Sequence, residues 1–211
     1  MSKLITFIFC FNLLQGEGAE NISFRYGFMG QVQSNPDSII ELGDKSLVHT
    51  GDAVKINIGY VNDSYFYLIY LDSDGNYFLN LPEDSRDDNK QDTLYATILQ
   101  GGLTNPPGNE TFYLLNSNEP MSELTKLLSR YESAPNKAKI KLAKKIQVEL
   151  DALDPNAKAE LSSIASRLDK PLAGGVTFRG DGDDELKDMS LTHECRGTGG
   201  IAFIKIVLNH K

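Results

Sequence analysis

Residues 65 to 80 constrain this chain more than any other stretch. Tyr65 to Leu71 is apolar or aromatic at every position, Asp72-Ser73-Asp74-Gly75-Asn76 interrupts the run, and Tyr77-Phe78-Leu79 resumes it. Two such runs joined by a short polar, glycine-bearing connection read as a β-hairpin. A run with no polar face reads as a central strand buried on both sides. Just upstream, Val54, Ile56, Ile58 and Tyr60 alternate with Lys55, Asn57 and Gly59, which is the period of a half-buried strand, and Gly51-Asp52 before it is a turn pair.

Further strands are predicted at Ile22 to Val32, Thr93 to Leu99, Thr111 to Leu115 and Ile201 to Leu208, the last with Ile204, Ile206 and Leu208 on one side. Ser34-Asn35-Pro36-Asp37 reads as a turn, and Thr104-Asn105-Pro106-Pro107-Gly108 as a loop. Residues 121 to 172 carry a different period. Ser122 is placed to cap a helix bearing Leu124, Leu127, Leu128 and Tyr131. Asn136 is placed to cap a second, bearing Ile140, Ala143, Ile146 and Leu150. Asp154-Pro155 starts a third with Leu161, Ile164 and Leu168, and Gly174-Gly175 stops it. Strands, then helices, then a closing strand at about 201–209 predict an α+β fold: a mostly antiparallel, sandwich-like domain with a helical insertion before the final strand.

The N-terminus predicts export. Lys3 precedes an apolar run from Leu4 to Leu14, and Gly16-Glu17-Gly18-Ala19 supplies small residues for cleavage after Gly18 or Ala19. That run is too short for a bilayer, which needs about 20 helical residues. Residues 1–19 are therefore expected to be a signal peptide and residues 20–211 a single mature β-rich domain, periplasmic or extracellular, with no transmembrane span. Removal of the leader takes away Lys3, Glu17 and Cys10, leaving Cys195 as the only thiol, so no internal disulfide is expected.

The stretch from Leu47 to Met121 resembles the domain of unknown function 4384 family of bacterial proteins. The elements that carry the resemblance are Leu47, Gly51-Asp52, Val54 to Tyr60, Tyr65 to Leu71 and the Asp72-Ser73-Asp74-Gly75 turn. They continue with Leu79-Asn80-Leu81-Pro82, Pro107-Gly108-Asn109-Glu110, Phe112 to Leu115 and Asn118-Glu119-Pro120-Met121. Asn109 and the acidic stretch Glu83 to Asp92 depart from the family pattern. The resemblance implies a β-sandwich-like accessory module of exported or envelope-associated proteins, and no catalytic residues.

Asp and Glu number 29 against 21 Lys and Arg, a formal charge of -8. That excess speaks against nucleic acid, whose phosphates call for a basic surplus. The local reversal is Lys137, Lys139, Lys141, Lys144 and Lys145 on the second helix. These surround an apolar stripe; a solvated helix face is the plain reading, and a docking surface for an acidic partner the functional one. Asp181, Asp183, Asp184 and Glu185 form a glycine-flanked acidic cluster with the oxygen chemistry of a calcium site, the one cofactor considered; a solvated loop explains them equally. Asp72, Asp74 and Asn76 begin a calcium-loop spacing that Tyr77 breaks where glycine is required, so a hairpin turn accounts for them.

His193 and Cys195 lie two apart, on one face of any strand, and a Cys–His pair is a known nucleophile and base. They lack the convergent partners of a cysteine hydrolase, and with His49 and His210 they lack zinc spacing. Tyr65, Tyr67, Tyr70, Tyr77 and Tyr113 offer a glycan platform if exposed, and core packing if not. The reading these features support is a non-enzymatic exported interaction domain that binds protein in a bacterial envelope or secretion context. The alternatives are a glycan- or peptide-binding module and, behind it, a cysteine hydrolase.

Overall fold

The computed structural model describes residues 21–61, 64–80, 93–153, 160–163 and 191–211. Within them the chain is α+β, with mostly antiparallel strands in two facing sheets and two helices.

The strands are β1 (Ile22–Val32), β2 (Asn35–Glu41), β3 (Leu47–Val48), β4 (Ala53–Val61), β5 (Tyr65–Leu71), β6 (Tyr77–Asn80), β7 (Thr93–Gly102) and β8 (Gly108–Ser117). Helices α1 (Ser122–Glu132) and α2 (Asn136–Leu153) follow, then β9 (Glu160–Ser163), β10 (His193–Gly197) and β11 (Ile201–His210). One sheet runs β7-β4-β1-β10-β9, with β2 beside the far half of β1; the other runs β3-β11-β8-β5-β6.

Alternation explains how the sheets face each other. Phe24, Tyr26 and Phe28 of β1 and Val54, Ile56 and Ile58 of β4 turn inward from the first sheet. They meet Phe66 and Leu68 of β5, Phe112 and Leu114 of β8, and Ile204, Ile206 and Leu208 of β11. Edge-to-face contacts cross the gap at Phe24–Phe66 (5.2 Å) and Phe28–Phe112 (5.0 Å). The opposite parity of the second sheet, Tyr67, Ile69, Tyr113, Leu115 and Phe203, is buried under Leu124, Leu128 and Tyr131 of α1 and Ile146 and Leu150 of α2. The helices thus form a third layer. That layer is why β5 carries no polar face: it has a core on either side.

The hairpin after β5 closes as its residues dictate. The Gly75 N–H donates to the Asp72 carbonyl, the Asn76 N–H to Asp72 Oδ1 at 2.7 Å, and the Asn76 side chain to Asp72 Oδ2 at 3.0 Å. Gly75 takes a φ of 84°, which a β-carbon would resist. Both Asp72 carboxylate oxygens are thereby engaged inside the turn.

Several local expectations are corrected. Asn35, Pro36 and Asp37 do not turn but open β2; the reversal is at Gln33 and Ser34, two residues earlier. Pro36 is tolerated because β2 pairs only with β1 and needs no donor on its free side. Ser122 makes no cap hydrogen bond, since α1 starts after Met121, whose carbonyl accepts from both Thr125 N and Thr125 Oγ1. Asn136 is already helical, and the Pro135 carbonyl receives the first N–H groups of α2.

Of the stretch expected as a third helix only Glu160–Ser163 lies within the described residues, and it is a strand pairing with β10 from His193↔Ser163 to Arg196↔Glu160, so β9 and β10 separate the helical pair from the closing strand. Ile140, expected on the buried stripe, is 66% exposed. Three-residue steps from Ile146 to Ala143 to Ile140 each rotate the stripe by about 60°, which carries Ile140 round the helix and away from the sheet.

Candidate functional site

The inner faces of β8 and β11 each end on a polar residue. Glu110 precedes Phe112 by two and His210 follows Leu208 by two, so both side chains point into the gap between the sheets. The β8–β11 register pairs Leu208 with Glu110 and His210 with Gly108, which sets the imidazole diagonally beside the carboxylate. His210 Nδ1 lies 3.0 Å from Glu110 Oε1, and both side chains are almost wholly buried. Tyr70, on the inner face of β5, donates its hydroxyl to Glu110 Oε2 at 2.6 Å. Burial first, and then that hydrogen bond, hold the Tyr70 phenol far above its ordinary range, so it remains a donor.

A loop completes the chain of contacts. β3 pairs in parallel with the end of β11, His210↔Val48, and Thr50 N donates to the Lys211 carbonyl at 2.9 Å. This brings Thr50 Oγ1 to 3.0 Å from His210 Nε2. The loop is fixed by Asp52, whose Oδ1 accepts from Gln33 N at 2.9 Å and whose Oδ2 accepts from His49 N at 2.8 Å. Gly51 N and Leu103 N exchange bonds with Leu103 O and Asp52 O. The Thr50 hydroxyl also has Asn105 Oδ1 as an acceptor at 3.3 Å.

His210 thus stands between the two groups, with Nδ1 against the Glu110 carboxyl and Nε2 against the Thr50 hydroxyl. The result is a relay, Tyr70–Glu110–His210–Thr50, running from the buried core to an exposed threonine. In the sequence Tyr70 stood out only within a candidate glycan platform and His210 only as a histidine without zinc spacing, and nothing marked Glu110 or Thr50 for chemistry. The available signal was the alternation of β11, which continues past Leu208 to put His210 on the core side.

His193 and Cys195 do share a face of β10, opposite Tyr26 and Phe24 of β1. Their environments differ. His193 stacks on Tyr26 at 5.1 Å and its Nε2 meets Glu41 Oε1 at 2.5 Å, joining β10 to β2 along the same edge of β1. Cys195 is sealed in the core between the sheets. Burial pushes its thiol up from the ordinary 9.0 to about 12; a backbone hydrogen bond from Phe203 opposes part of the rise and Glu194 adds to it. A thiol so held keeps its proton at neutral pH, the reverse of what a nucleophile needs.

The folded state therefore binds one more proton than the unfolded state between about pH 9 and about pH 12. This part of the stability is complete below that window and is lost as pH rises through it. The denaturant midpoint is expected to fall further between about pH 7 and about pH 10 in the wild type than in Cys195→Ala. Equal falls would show that the thiol is solvated.

On α2, Lys137, Lys141, Lys144 and Lys145 are exposed, while Ile146 and Leu150 are fully buried. At about 100° per residue, Lys137, Lys141, Lys144 and Val148 point opposite the buried stripe, with Lys145 and Ile140 flanking them. Val148 and Ile140 are 65% and 66% exposed, aliphatic residues set among the lysines. Lys139 instead lies over the Tyr131 ring at 5.1 Å.

Of the tyrosines offered as a glycan platform, Tyr67, Tyr77 and Tyr113 are in the core under the helices, Tyr70 is committed to Glu110, and Tyr65 is exposed. Asp181, Asp183, Asp184 and Glu185 lie outside the described residues. Among the described residues no helix is long and apolar enough to cross a membrane, and no group of His, Cys, Asp and Glu is arranged to hold a metal.

Compared with known proteins, the chain matches no family model, no curated protein and no solved structure.

Proposed function

We propose that this protein is an exported, non-enzymatic interaction domain of a bacterial envelope or secretion system, and that it binds an acidic protein surface through the outer face of α2. The observation that carries the reading is that face itself: Lys137, Lys141, Lys144 and Lys145 exposed around Val148 and Ile140. Five lysines on α2 stand against Glu149 and Asp151, in a chain whose total charge is -8. A basic patch with two aliphatic side chains at its centre and flank combines electrostatic steering with a desolvated contact, the pairing a protein partner exploits.

The test is lysine-directed cross-linking of the natively exported protein, followed by mass spectrometry. Cross-links from Lys141 or Lys144 to one acidic partner are expected. Lys137→Glu with Lys141→Glu, Lys144→Glu and Lys145→Glu should weaken that complex by roughly tenfold or more, and the wild-type complex should weaken with salt. A partner retained at full affinity by the charge-reversed chain would overturn the reading.

A further inference from the structure

We infer that Thr50 is an acyl-accepting nucleophile, primed by His210 and Glu110, on residues separate from the lysines of α2 and independent of the interaction proposed there.

The arrangement has the three parts that hydroxyl nucleophiles use: an accessible oxygen, a base within hydrogen-bonding reach, and a buried group that orients the base. Thr50 is exposed, His210 Nε2 is 3.0 Å from its oxygen, and Glu110 Oε1 is 3.0 Å from the other ring nitrogen. Tyr70 occupies the remaining carboxylate oxygen at 2.6 Å and so prevents Glu110 from swinging off the imidazole. Asp52 and the Lys211 carbonyl fix the backbone on both sides of Thr50. Asn105 Oδ1 stands 3.3 Å from the Thr50 oxygen as a second acceptor for its hydroxyl.

Thr50 Oγ bonds to the carbonyl carbon of the donor while its proton passes to His210 Nε2. The bond from that carbon to the leaving group breaks, and the leaving group departs with the electron pair as an anion. The imidazolium that forms is balanced by the Glu110 carboxylate, leaving an ester on Thr50. The side chain of His210 is 0% exposed, so it receives the Thr50 proton but does not reach out to protonate a departing group. This limits the donors to those whose leaving groups need no proton, namely thioesters and aryl esters. It also makes acylation of Thr50 the end of the reaction.

The full chain treated with p-nitrophenyl acetate, digested and mapped by mass spectrometry decides the matter. Acetyl ester on Thr50 should form about 100-fold faster than on Thr104, an exposed threonine of the neighbouring loop and an internal reference in the same folded molecule. Thr50→Ser should react faster still, since its primary hydroxyl is less hindered, and Thr50→Val should carry no ester at that position. His210→Gln should bring the rate at position 50 down to that of Thr104. Equal rates at Thr50 and Thr104 in the wild type overturn the proposal, whatever the variants do; so does an unchanged ratio in folded His210→Gln.

Discussion

His210→Ala is expected to lower the free energy of unfolding by about 3–5 kcal/mol, the cost of breaking a buried pair by removing one partner. Glu110 is 2% exposed and would keep only the Tyr70 hydroxyl, leaving Oε1 without a donor in a closed space. Thr50 would lose its contact at 3.0 Å as well, loosening the loop that Asp52 organises. Urea denaturation at neutral pH measures the loss as a lower midpoint at unchanged slope. The double variant Glu110→Ala with His210→Ala should cost much less than the two single losses added, because neither survivor is then stranded. A loss below about 1 kcal/mol for His210→Ala would mean that the pair is solvated and contributes no more than a surface contact.

Ile146→Ala is expected to cost about 2–5 kcal/mol, through lost burial and the cavity left behind. Ile146 and Leu150 are fully buried and fasten α2 over Tyr67, Ile69, Tyr113 and Phe203. The damage should concentrate in the helical layer, so amide exchange in α2 should accelerate more than in β1, which lies in the other core. Ile140→Ala, on the same helix, should change stability by less than about 0.5 kcal/mol, because that side chain is 66% exposed. Equal losses at Ile140 and Ile146 would place the helix in the wrong rotation. The contrast also separates fold from function: Ile140 belongs with the proposed binding face and Ile146 with its foundation.

Strands were legible wherever one or both faces had a consistent polarity. Val54 to Tyr60, Tyr65 to Leu71 and Ile201 to Leu208 all stand as strands, since alternation follows from the two-residue period and survives any tertiary arrangement. β2 was not legible, because Asn35, Pro36 and Asp37 have turn chemistry; pairing with β1, Met29↔Glu41 to Gln31↔Ile39, overrides it. Glu160–Ser163 likewise follows a helix-starting Asp-Pro yet pairs with β10. In α2 the three-and-four spacing was correct from Ala143 to Leu150 and drifted at Ile140, where two steps of three turned the residue out of the stripe.

The basic face of α2 was visible in the chain because its lysines are neighbours in sequence and a helix maps spacing directly onto direction. The Thr50 site was not. Glu110 and His210 are 100 residues apart, and Thr50 and His210 are 160 apart. No local period relates residues so distant.

Alternation by itself put Ile204, Ile206 and Leu208 on one side of the closing strand, a parity that position 210 continues, whereas the apolar run Phe112 to Leu115 has no alternation from which to place position 110. Only the pairing of β8 with β11 and of β3 with β11 decided that those two positions would meet each other and meet Thr50. The physical reason is that side-chain direction is set by dihedral angles one residue at a time. Which strands lie together is set by the burial of whole faces, and that free energy exists only once the sheets and helices are assembled.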